Sequence, residues 1–244
     1  MPRFFINEPV VDIFKITGDD AFHIMKSLRM KVNEVIILCH NGIDYICKII
    51  DFDKSSVTVK LIEKKICNAE SDLKITLFQG IPKSDKMDLI IKKAVEVGVY
   101  SVVPIVTERC VSRPEEKSLI KKVQRWQKIA LEAAKQSGRG IVPEVKYPAL
   151  FKDAVNLGDQ FDKVIVFYEG GGSPIYESFS SMKIKTLAIF IGPEGGFEQC
   201  EVDMIKSAGG EVCSLGNRIL RTETAAIVST ALLIYEHERL NAGK

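Results

Sequence analysis

The feature that most limits how this chain can fold is the regular alternation of apolar runs and amphipathic segments after residue 73. Buried-strand patterns lie at 73–81, 101–107, 163–169 and 186–192. Helical patterns lie at 84–99, 115–139 and 222–240. Strands that alternate with helices build a mostly parallel sheet that is covered by helices on both faces. The second part of the chain, residues 73–244, is therefore predicted to be an α/β domain.

The first part of the chain has a different pattern, in which short β-branched runs are separated by turn-like segments. The runs lie at 35–39, 43–50 and 57–62, and the segments between them read HNG and DFDKSS. Evenly spaced short strands of this kind predict a small antiparallel barrel. The polar stretch CNAESD at 67–72 is typical of a linker, so the barrel is predicted to occupy residues 1–70.

The cysteines and histidines give no sign of a metal site. Six cysteines and three histidines are spread along the chain without a Cys-x-x-Cys pair or a histidine at ligand spacing. We therefore expect neither a metal nor a disulfide framework. No apolar run approaches the roughly 20 residues that cross a bilayer, and the N-terminal MPRFFINEP lacks the apolar core of a signal peptide. A cytoplasmic protein without a membrane partner is expected.

An apolar run leads directly into a glycine loop in AIFIGPEGGFE, residues 188–198. Ligands of open α/β sheets bind beyond the carboxyl ends of the strands, so this loop is a candidate binding site. It fits neither the Gly-x-x-x-x-Gly-Lys nor the Gly-x-Gly-x-x-Gly phosphate template. Glu194 would repel a phosphate and favours a ligand with positive charge and hydroxyl groups. The alternative is a tight turn that needs its proline and glycines only for their dihedral angles.

A second loop, SLGNRILRTETA at 214–225, strengthens the case for a site. Gly216 and Asn217 are typical turn residues, and Arg218 and Arg221 follow them just before an apolar helix. Two arginines at the start of a helix indicate a contact site for an anion or a base edge. The alternative is that they pair with the nearby acidic loops. Thr222 and Glu223 are predicted to supply a hydroxyl cap and a favourable charge to the first turn.

The charges are unevenly distributed although the formal net charge is only +2. Residues 109–146 contain ten lysines or arginines and four glutamates, whereas residues 147–217 contain five lysines and ten acidic residues. A basic face beside an acidic one indicates a polyanionic partner that approaches from one side. An ordinary solvated helix face explains the same charges.

Four ordered segments resemble a known family. They read KMDLIIKKAVEVGV, RWQKIALEAAKQSGRGIVPEV, IFIGPEGGF and LGNRILRTETAAI. With RFF and HIMKSLRMK near the N-terminus, they are similar to the RsmE family of 16S ribosomal RNA uridine-N3 methyltransferases, which belong to the SPOUT superfamily. The likeness extends over nearly the whole chain. It implies an α/β fold with a SPOUT-type, mostly parallel sheet and a C-terminal trefoil knot, preceded by a PUA-like, RNA-binding β-barrel.

The resemblance implies that S-adenosyl-L-methionine is the methyl donor and that three loops of the knot bind it. The implied cofactor-binding residues are Tyr168, Glu169, Gly170, Gly192, Glu194, Gly195, Gly196, Leu215, Gly216, Ile219 and Leu220. A sulfonium cation without a phosphate agrees with an acidic glycine loop that fails the phosphate templates. A homodimer is also implied, and it would give the apolar helix at 222–240 a second chain to pack against.

The implied substrate is 16S ribosomal RNA or the assembled small ribosomal subunit, methylated at N3 of the uridine at position 1498. The N3 proton must be removed, and the charge that develops on O2 and O4 must be stabilised. We expect Arg221, and next Arg218, to stabilise that charge, because a guanidinium remains ionised and presents a planar fork. Glu223, Glu194 or water is the expected proton acceptor. Alternatively, Glu223 is only a charge that suits a helix N-terminus.

The N3 atom lies on the Watson–Crick edge, so the base must be unstacked before it can react. We expect contacts to RNA phosphates to orient it, and surface lysines and arginines are the candidates. They are Arg3, Lys26, Arg29, Lys31, Lys83, Arg113 and Arg139.

Two other functions stay open on the sequence alone. One is a different SPOUT methyltransferase that acts on tRNA or on a ribose 2′-hydroxyl, and the identity of the methylated nucleoside separates it from the first. The other is a non-catalytic RNA-binding protein, which the barrel and the basic stretch also allow. Binding of S-adenosylmethionine separates this last function from the two enzymes.

Overall fold

The chain forms two compact units in a computed structural model that describes residues 1–111, 116–178 and 184–242. The first unit contains residues Met1–Glu70 together with Ala134–Val142, and the second contains Ser71–Ala133 and Pro143–Lys244. Within the described residues, every helix is too short or too polar to span a lipid bilayer.

The first unit is built on a curled five-stranded sheet with the strand order β1-β3-β4-β5-β2. The strands are β1 (Arg3–Phe5), β2 (Ile13–Thr17), β3 (Val35–His40), β4 (Ile43–Phe52) and β5 (Ser56–Ile66). A short helix α1 (Gly18–Phe22) continues into a π-helical turn, His23–Ser27. The pairings are antiparallel except that β1 runs parallel to β3, which the predicted antiparallel barrel did not anticipate. Three-residue β1 carries too little pattern to reveal its direction.

Alternation of apolar and polar residues explains which side of this sheet is buried. Tyr45, Cys47 and Ile49 of β4 are fully buried, as are Val57 and Val59 of β5, whereas residues between them face outward. Successive side chains of a strand point to opposite faces, so one face of the curled sheet becomes a core and the other remains solvated.

The second unit is a layered α/β structure around an eight-stranded sheet. Its strands are β6 (Lys74–Gly80), β7 (Ser101–Val106), β8 (Glu144–Val145), β9 (Ala149–Leu150), β10 (Lys163–Phe167), β11 (Ser173–Pro174), β12 (Thr186–Ile191) and β13 (Glu211–Ser214). The order is β11-β13-β10-β12-β6-β7-β8, with β9 also paired to β7. The pairings of this sheet are parallel, as the alternating sequence pattern predicted.

Helices connect and cover these strands. They are α2 (Lys86–Glu96), α3 (Glu116–Gln136), α4 (Phe151–Asn156), α5 (Ile175–Ser178), α6 (Gln199–Ser207) and α7 (Thr222–Asn241), with a 3₁₀ turn at Leu157–Gln160. The apolar face predicted for α2 is the one that is buried. Central strands β6 and β12 are buried on both faces, and their Phe78 and Phe190 rings stack with centroids 4.5 Å apart. This core fixes the strands from which the functional loops extend.

Three loops leave the same edge of this sheet because their strands are parallel neighbours. Phe167 at the end of β10 pairs with Ile191 at the end of β12 and with Cys213 in β13. The segments that follow, 168–172, 192–198 and 215–221, therefore begin side by side. The trefoil knot that the resemblance implies for this region stays a prediction.

Candidate functional site

The three loops enclose one cavity of about 680 Å³. All eleven of the residues predicted to bind a cofactor line it, and so do Arg218 and Arg221. A volume of this size is typical of pockets that hold a small organic molecule. The sequence predicted these residues on three separate loops. The structure brings the three loops together around one cavity.

Glycines form much of the cavity wall, and at Gly192 and Gly196 a side chain would not fit. Gly196 has a φ of 70°, and a Cβ atom on it would overlap the carboxylate of Glu169. A Cβ atom on Gly192 would lie 2.9 Å from the backbone of Gly196. A tight turn and a cavity are thus compatible, since the same glycines close the turn and line the cavity.

The carboxylate of Glu194 is not free to face a cationic ligand, which corrects the sequence-based interpretation of the acidic loop. Its Oε1 atom lies 2.9 Å from Nζ of Lys86, and it accepts a hydrogen bond from the Lys83 backbone N–H at 3.1 Å. Partial burial acts to raise the pKa of Glu194, but these hydrogen bonds outweigh it and the pKa lies below its ordinary value. Glu194 therefore fastens the glycine loop to the start of α2.

Glu169 is the acidic side chain of the cavity wall that lacks a partner among the described residues. Its side chain is exposed, and among the described residues it makes neither an ion pair nor a hydrogen bond. A ligand in the cavity would meet the negative charge of Glu169 and also apolar surface. The apolar surface comes from Phe167, Ile191, Leu215 and Leu220. Such a cavity suits a small organic ligand that carries a positively charged group near Glu169.

Arg218 and Arg221 are exposed at the mouth of the cavity. Within the described parts of the chain, neither guanidinium takes part in an ion pair, so the alternative that they pair with the acidic loops does not hold here. Arg221 directly precedes α7, whose N-terminal end carries a partial positive charge. The mouth is therefore a place where developing negative charge would be stabilised.

Thr222 does not cap α7, contrary to the sequence-based prediction. Its buried hydroxyl donates to the carbonyl of Gly192 at 2.6 Å and accepts from the Gln79 side-chain amide at 2.9 Å. The N-cap position is Arg221, and no side chain caps the helix there. The hydroxyl instead joins the start of α7 to the glycine loop and to β6.

Glu223 lies in the first turn of α7, as predicted, but does not line the cavity. Its Oε2 atom is buried without a hydrogen-bond partner among the described residues, and Nζ of Lys86 lies 3.8 Å away. The Lys86 ammonium thus lies close to both Glu194 and Glu223, the two carboxylates predicted as proton acceptors.

Three polar residues that hold the loops in place were missed on the sequence. Lys86 begins a helix that also carries Lys92 and Lys93, Gln79 lies near the end of a buried strand, and Arg109 lies in a short turn. The strand-end position of Gln79 was the available signal, because ligands of such sheets gather there. Nothing in the local sequence separates Lys86 or Arg109 from surface residues.

The predicted RNA contacts fall into three groups. Lys26, Arg29, Lys31 and Lys83 are exposed, and Arg29 adopts an unusual positive φ of 52°. Arg113 lies outside the described residues. Arg3 and Arg139 form ion pairs with carboxylates of the protein itself.

Arg3 and Arg139 are used inside the first unit. The guanidinium of Arg3 grips both carboxylate oxygens of Asp44, at 2.6 and 2.8 Å, and donates to the carbonyl of Arg139. Arg139 is buried and forms an ion pair with Glu70, which also accepts from the Gly140 backbone. Breaking such buried pairs is costly, which argues against both arginines as phosphate contacts.

No group of three or more His, Cys, Asp or Glu residues is placed to hold a metal within the described ranges. The six cysteines are free, and only Cys200 is exposed. Burial raises the pKa of Cys47 to about 11. A buried thiol of this kind is protonated at neutral pH and inert.

Comparison with known proteins places this geometry in context. A family model described as an RNA methyltransferase domain matches residues 69–234, and one described as an RNA methyltransferase PUA domain matches residues 16–62. The chain is similar to the ribosomal RNA small subunit methyltransferase E of Bacillus subtilis, with 36% identity over 98% of each chain.

Solved structures agree with the sequence relatives. A crystal structure described as that of a hypothetical protein has a TM-score of 0.91 and 35% identity, covering 98% of this chain and 99% of its own. The ribosomal RNA small subunit methyltransferase E of Neisseria gonorrhoeae, solved with bound S-adenosyl methionine, has a TM-score of 0.84 and 28% identity over 98% of each chain.

Proposed function

The chain belongs to the ribosomal RNA small subunit methyltransferase E family, and on that basis we propose that it methylates N3 of a specific uridine, position 1498, in 16S ribosomal RNA. The coarser activity, S-adenosylmethionine-dependent methylation of ribosomal RNA, follows from the family. One observation supports the finer proposal most. A glycine-walled cavity with a free carboxylate opens at a mouth that carries two arginines without ion-pair partners among the described residues.

The residues of the cavity fit S-adenosylmethionine. Its volume suits a ligand of that size, and the cleared glycine wall lets backbone groups approach the ligand closely. Glu169 supplies the negative charge for a sulfonium cation or ribose hydroxyls, while Phe167, Ile191 and Leu220 supply apolar surface for a flat ring. When bound, the cofactor supplies an electrophilic methyl group on sulfur.

Arg221 and Arg218 act on the uridine. As the N3 proton leaves, negative charge spreads over O2 and O4 of the base, and a guanidinium at the cavity mouth stabilises it. The positive end of α7 adds to this effect at Arg221. Neither arginine has to leave an ion pair with a described residue in order to do so.

The proton acceptor is a water molecule rather than Glu194 or Glu223. The lowered pKa of Glu194 makes it a weak base, and its carboxylate is engaged by Lys86 and by the Lys83 backbone N–H. Glu223 does not line the cavity, so its carboxylate is out of reach of a base bound there.

Exposed basic residues support binding of RNA by both units. Lys26, Arg29 and Lys31 belong to the first unit and Lys83 to the second. The positive φ of Arg29 costs conformational energy that the surrounding loop must offset, and such outliers often mark functional positions. Contacts of this kind orient RNA without reading its sequence.

A homodimer is supported by the outer face of α7. One face of the helix packs inside the second unit, while Leu232, Tyr235 and Leu240 on other positions are 44%, 65% and 37% exposed. Exposed apolar side chains on an ordered helix indicate a further packing partner. Sedimentation should give twice the chain mass, and a monomer at micromolar concentration would contradict this part of the proposal.

Nucleoside mass spectrometry tests the proposed reaction directly. Small-subunit ribosomal RNA from cells with and without the gene should differ in N3-methyluridine, and the purified protein should restore it with S-adenosylmethionine. Methylation of tRNA or of a ribose 2′-hydroxyl instead would favour a different SPOUT activity. Failure to bind S-adenosylmethionine by calorimetry would favour a non-catalytic RNA-binding protein.

A further inference from the structure

A short turn after β7, residues 107–110, grips the glycine loop from outside the cavity. Nη1 of Arg109 donates to the carbonyl of Gly195 at 2.7 Å. Nε and Nη2 of the same guanidinium donate to the two carboxylate oxygens of Glu198 at 2.8 and 3.0 Å. Three of the five N–H groups of Arg109 are therefore committed to the loop and to the residue that starts α6.

The aliphatic part of Arg109 also contacts the loop. A Cβ atom on Gly195 would lie 3.1 Å from Cβ and 3.4 Å from Cδ of Arg109. The Gly195 backbone therefore packs directly on the Arg109 stem, and the absence of a side chain at Gly195 makes this approach possible.

A second contact fixes the turn to the same end of α6. The buried carboxylate of Glu201 accepts a hydrogen bond from the Glu108 backbone N–H at 3.0 Å and one from the Glu198 backbone N–H at 2.9 Å. Thr107 and Cys110 close the turn through their side chains, which lie 3.2 Å apart. Arg109 consequently starts from a backbone that is itself held in place.

These contacts fix the peptide group between Gly195 and Gly196 at both of its polar ends. Its carbonyl accepts from Arg109, and its N–H donates to the carbonyl of Pro193 at 2.9 Å. The orientation of this peptide group determines the position of the Gly196 Cα atom. Gly196 in turn lies against the Glu169 carboxylate in the cavity wall. Arg109 itself does not line the cavity.

We propose that Arg109 is a positioning residue for the cofactor: it holds the Gly195–Gly196 peptide so that the cavity is formed before the ligand arrives. The inference rests on the proposed function, because the ligand is taken to be S-adenosylmethionine. A preformed wall avoids the entropy cost of ordering a glycine loop on binding, so the effect falls on affinity rather than on the chemical step. Three of the five N–H donors of Arg109 are thus directed to the protein itself rather than to a phosphate.

Calorimetry with S-adenosylmethionine and steady-state kinetics test this role. Arg109→Gln should weaken cofactor binding about tenfold or more, the effect expected for loss of a charged hydrogen bond. Its kcat at saturating cofactor should stay within about twofold of wild type, which is the pattern of a lost binding interaction. Arg109→Lys should rescue little, because an ammonium keeps the charge but cannot serve Gly195 and both oxygens of Glu198.

Arg239→Gln is the matched control. Arg239 is exposed, and its guanidinium donates to both carboxylate oxygens of Glu236 in the last turns of α7, at the opposite end of that helix from Arg221. Loss of a surface ion pair alone should leave cofactor affinity unchanged. Glu198→Gln should have an intermediate effect, because the contact of Arg109 with Gly195 remains. It also provides a folded variant if Arg109→Gln is unstable.

The outcomes separate this inference from the proposed function. If the wild-type protein does not bind S-adenosylmethionine, the proposed function is overturned. If it binds and both Arg109→Gln and Glu198→Gln bind equally well, or if only kcat falls, the positioning role is overturned while the proposed function stands.

Discussion

The hydroxyl of Thr222 donates a 2.6 Å hydrogen bond to the backbone carbonyl of Gly192. Thr222 begins α7 and Gly192 begins the glycine loop, so this bond joins the two segments that supply Arg221 and the cavity wall. Gln79 at the end of β6 donates to the same hydroxyl. A buried hydroxyl that both donates and accepts determines the spacing of all three segments.

Thr222→Val should lower the free energy of unfolding by about 1–3 kcal/mol, because the nearly isosteric side chain loses two buried hydrogen bonds, the one to the Gly192 carbonyl and the one from the Gln79 amide. Urea denaturation measures the change. Thr222→Ser keeps the hydroxyl and should retain most of the lost stability. A valine variant as stable as wild type would show that the hydroxyl has no structural role.

Gly196→Ala should weaken S-adenosylmethionine binding more than it weakens the fold. Its φ of 70° is unfavourable for alanine, and the added Cβ atom would displace the flexible Glu169 carboxylate from the cavity wall. The dihedral angle should cost about 1–2 kcal/mol of stability. The displaced carboxylate should reduce cofactor affinity as measured by calorimetry.

Gly209→Ala is the matched control for that variant. Gly209 has a φ of 84°, but a Cβ atom there would contact nothing within 4 Å. It should therefore destabilise the fold to a similar extent while cofactor affinity stays at the wild-type level. Equal affinity losses in the two variants would show that strain alone accounts for the effect.

Much of the second unit could be predicted because its elements carry strong local patterns. The run at 186–192 is observed as Thr186–Ile191, and the buried face of α2 matches the predicted residues. Weak or non-local features were not predictable. The parallel direction of β1 and the packing of residues 134–142 with the first unit depend on contacts between distant parts of the chain.

The site was predictable where the residue type alone constrains the backbone, as in the glycine loops. It was not predictable where a charged side chain pairs with a residue that is distant in the sequence. Glu194 was expected to face the ligand, but Lys86 from another element neutralises it, whereas Glu169 stays free of such a partner among the described residues. A formal charge in a loop indicates only that a partner or solvent must be present.

The ion pair of Glu194 with Lys86 should make stability depend on pH. The pKa of Glu194 lies below its ordinary 4.5 in the folded protein, so the unfolded chain binds more protons in that range. The contribution of Glu194 is therefore complete above about pH 5 and is lost as the pH falls through the folded-state pKa. Chemical denaturation should give a wild-type advantage over Glu194→Gln at pH 7 that shrinks toward pH 3.

Lys86→Met tests the cause of that dependence. Without the ammonium, the pKa of Glu194 should move upward in an NMR titration, because the hydrogen bond and charge that lower it are gone. The pKa of Lys86 is raised by the same hydrogen bond, so the ammonium stays charged throughout the acidic range. An unchanged Glu194 titration would assign the shift to the backbone N–H groups of Glu194 and Lys83.

Arg221→Ala should abolish most methyl transfer while leaving cofactor binding nearly intact. Removal of one group that stabilises developing negative charge typically lowers kcat by about 10²–10³-fold. Arg221 is exposed at the cavity mouth and makes no ion pair with a described residue, so its loss should not disturb the fold. Single-turnover assays on ribosomal RNA measure the chemical step, and calorimetry measures binding of S-adenosylmethionine.

Arg218→Ala, at the same mouth but farther from α7, should lower kcat less. A larger effect at Arg218 than at Arg221 would exchange their roles, and full activity in both variants would contradict arginine stabilisation of the uridine.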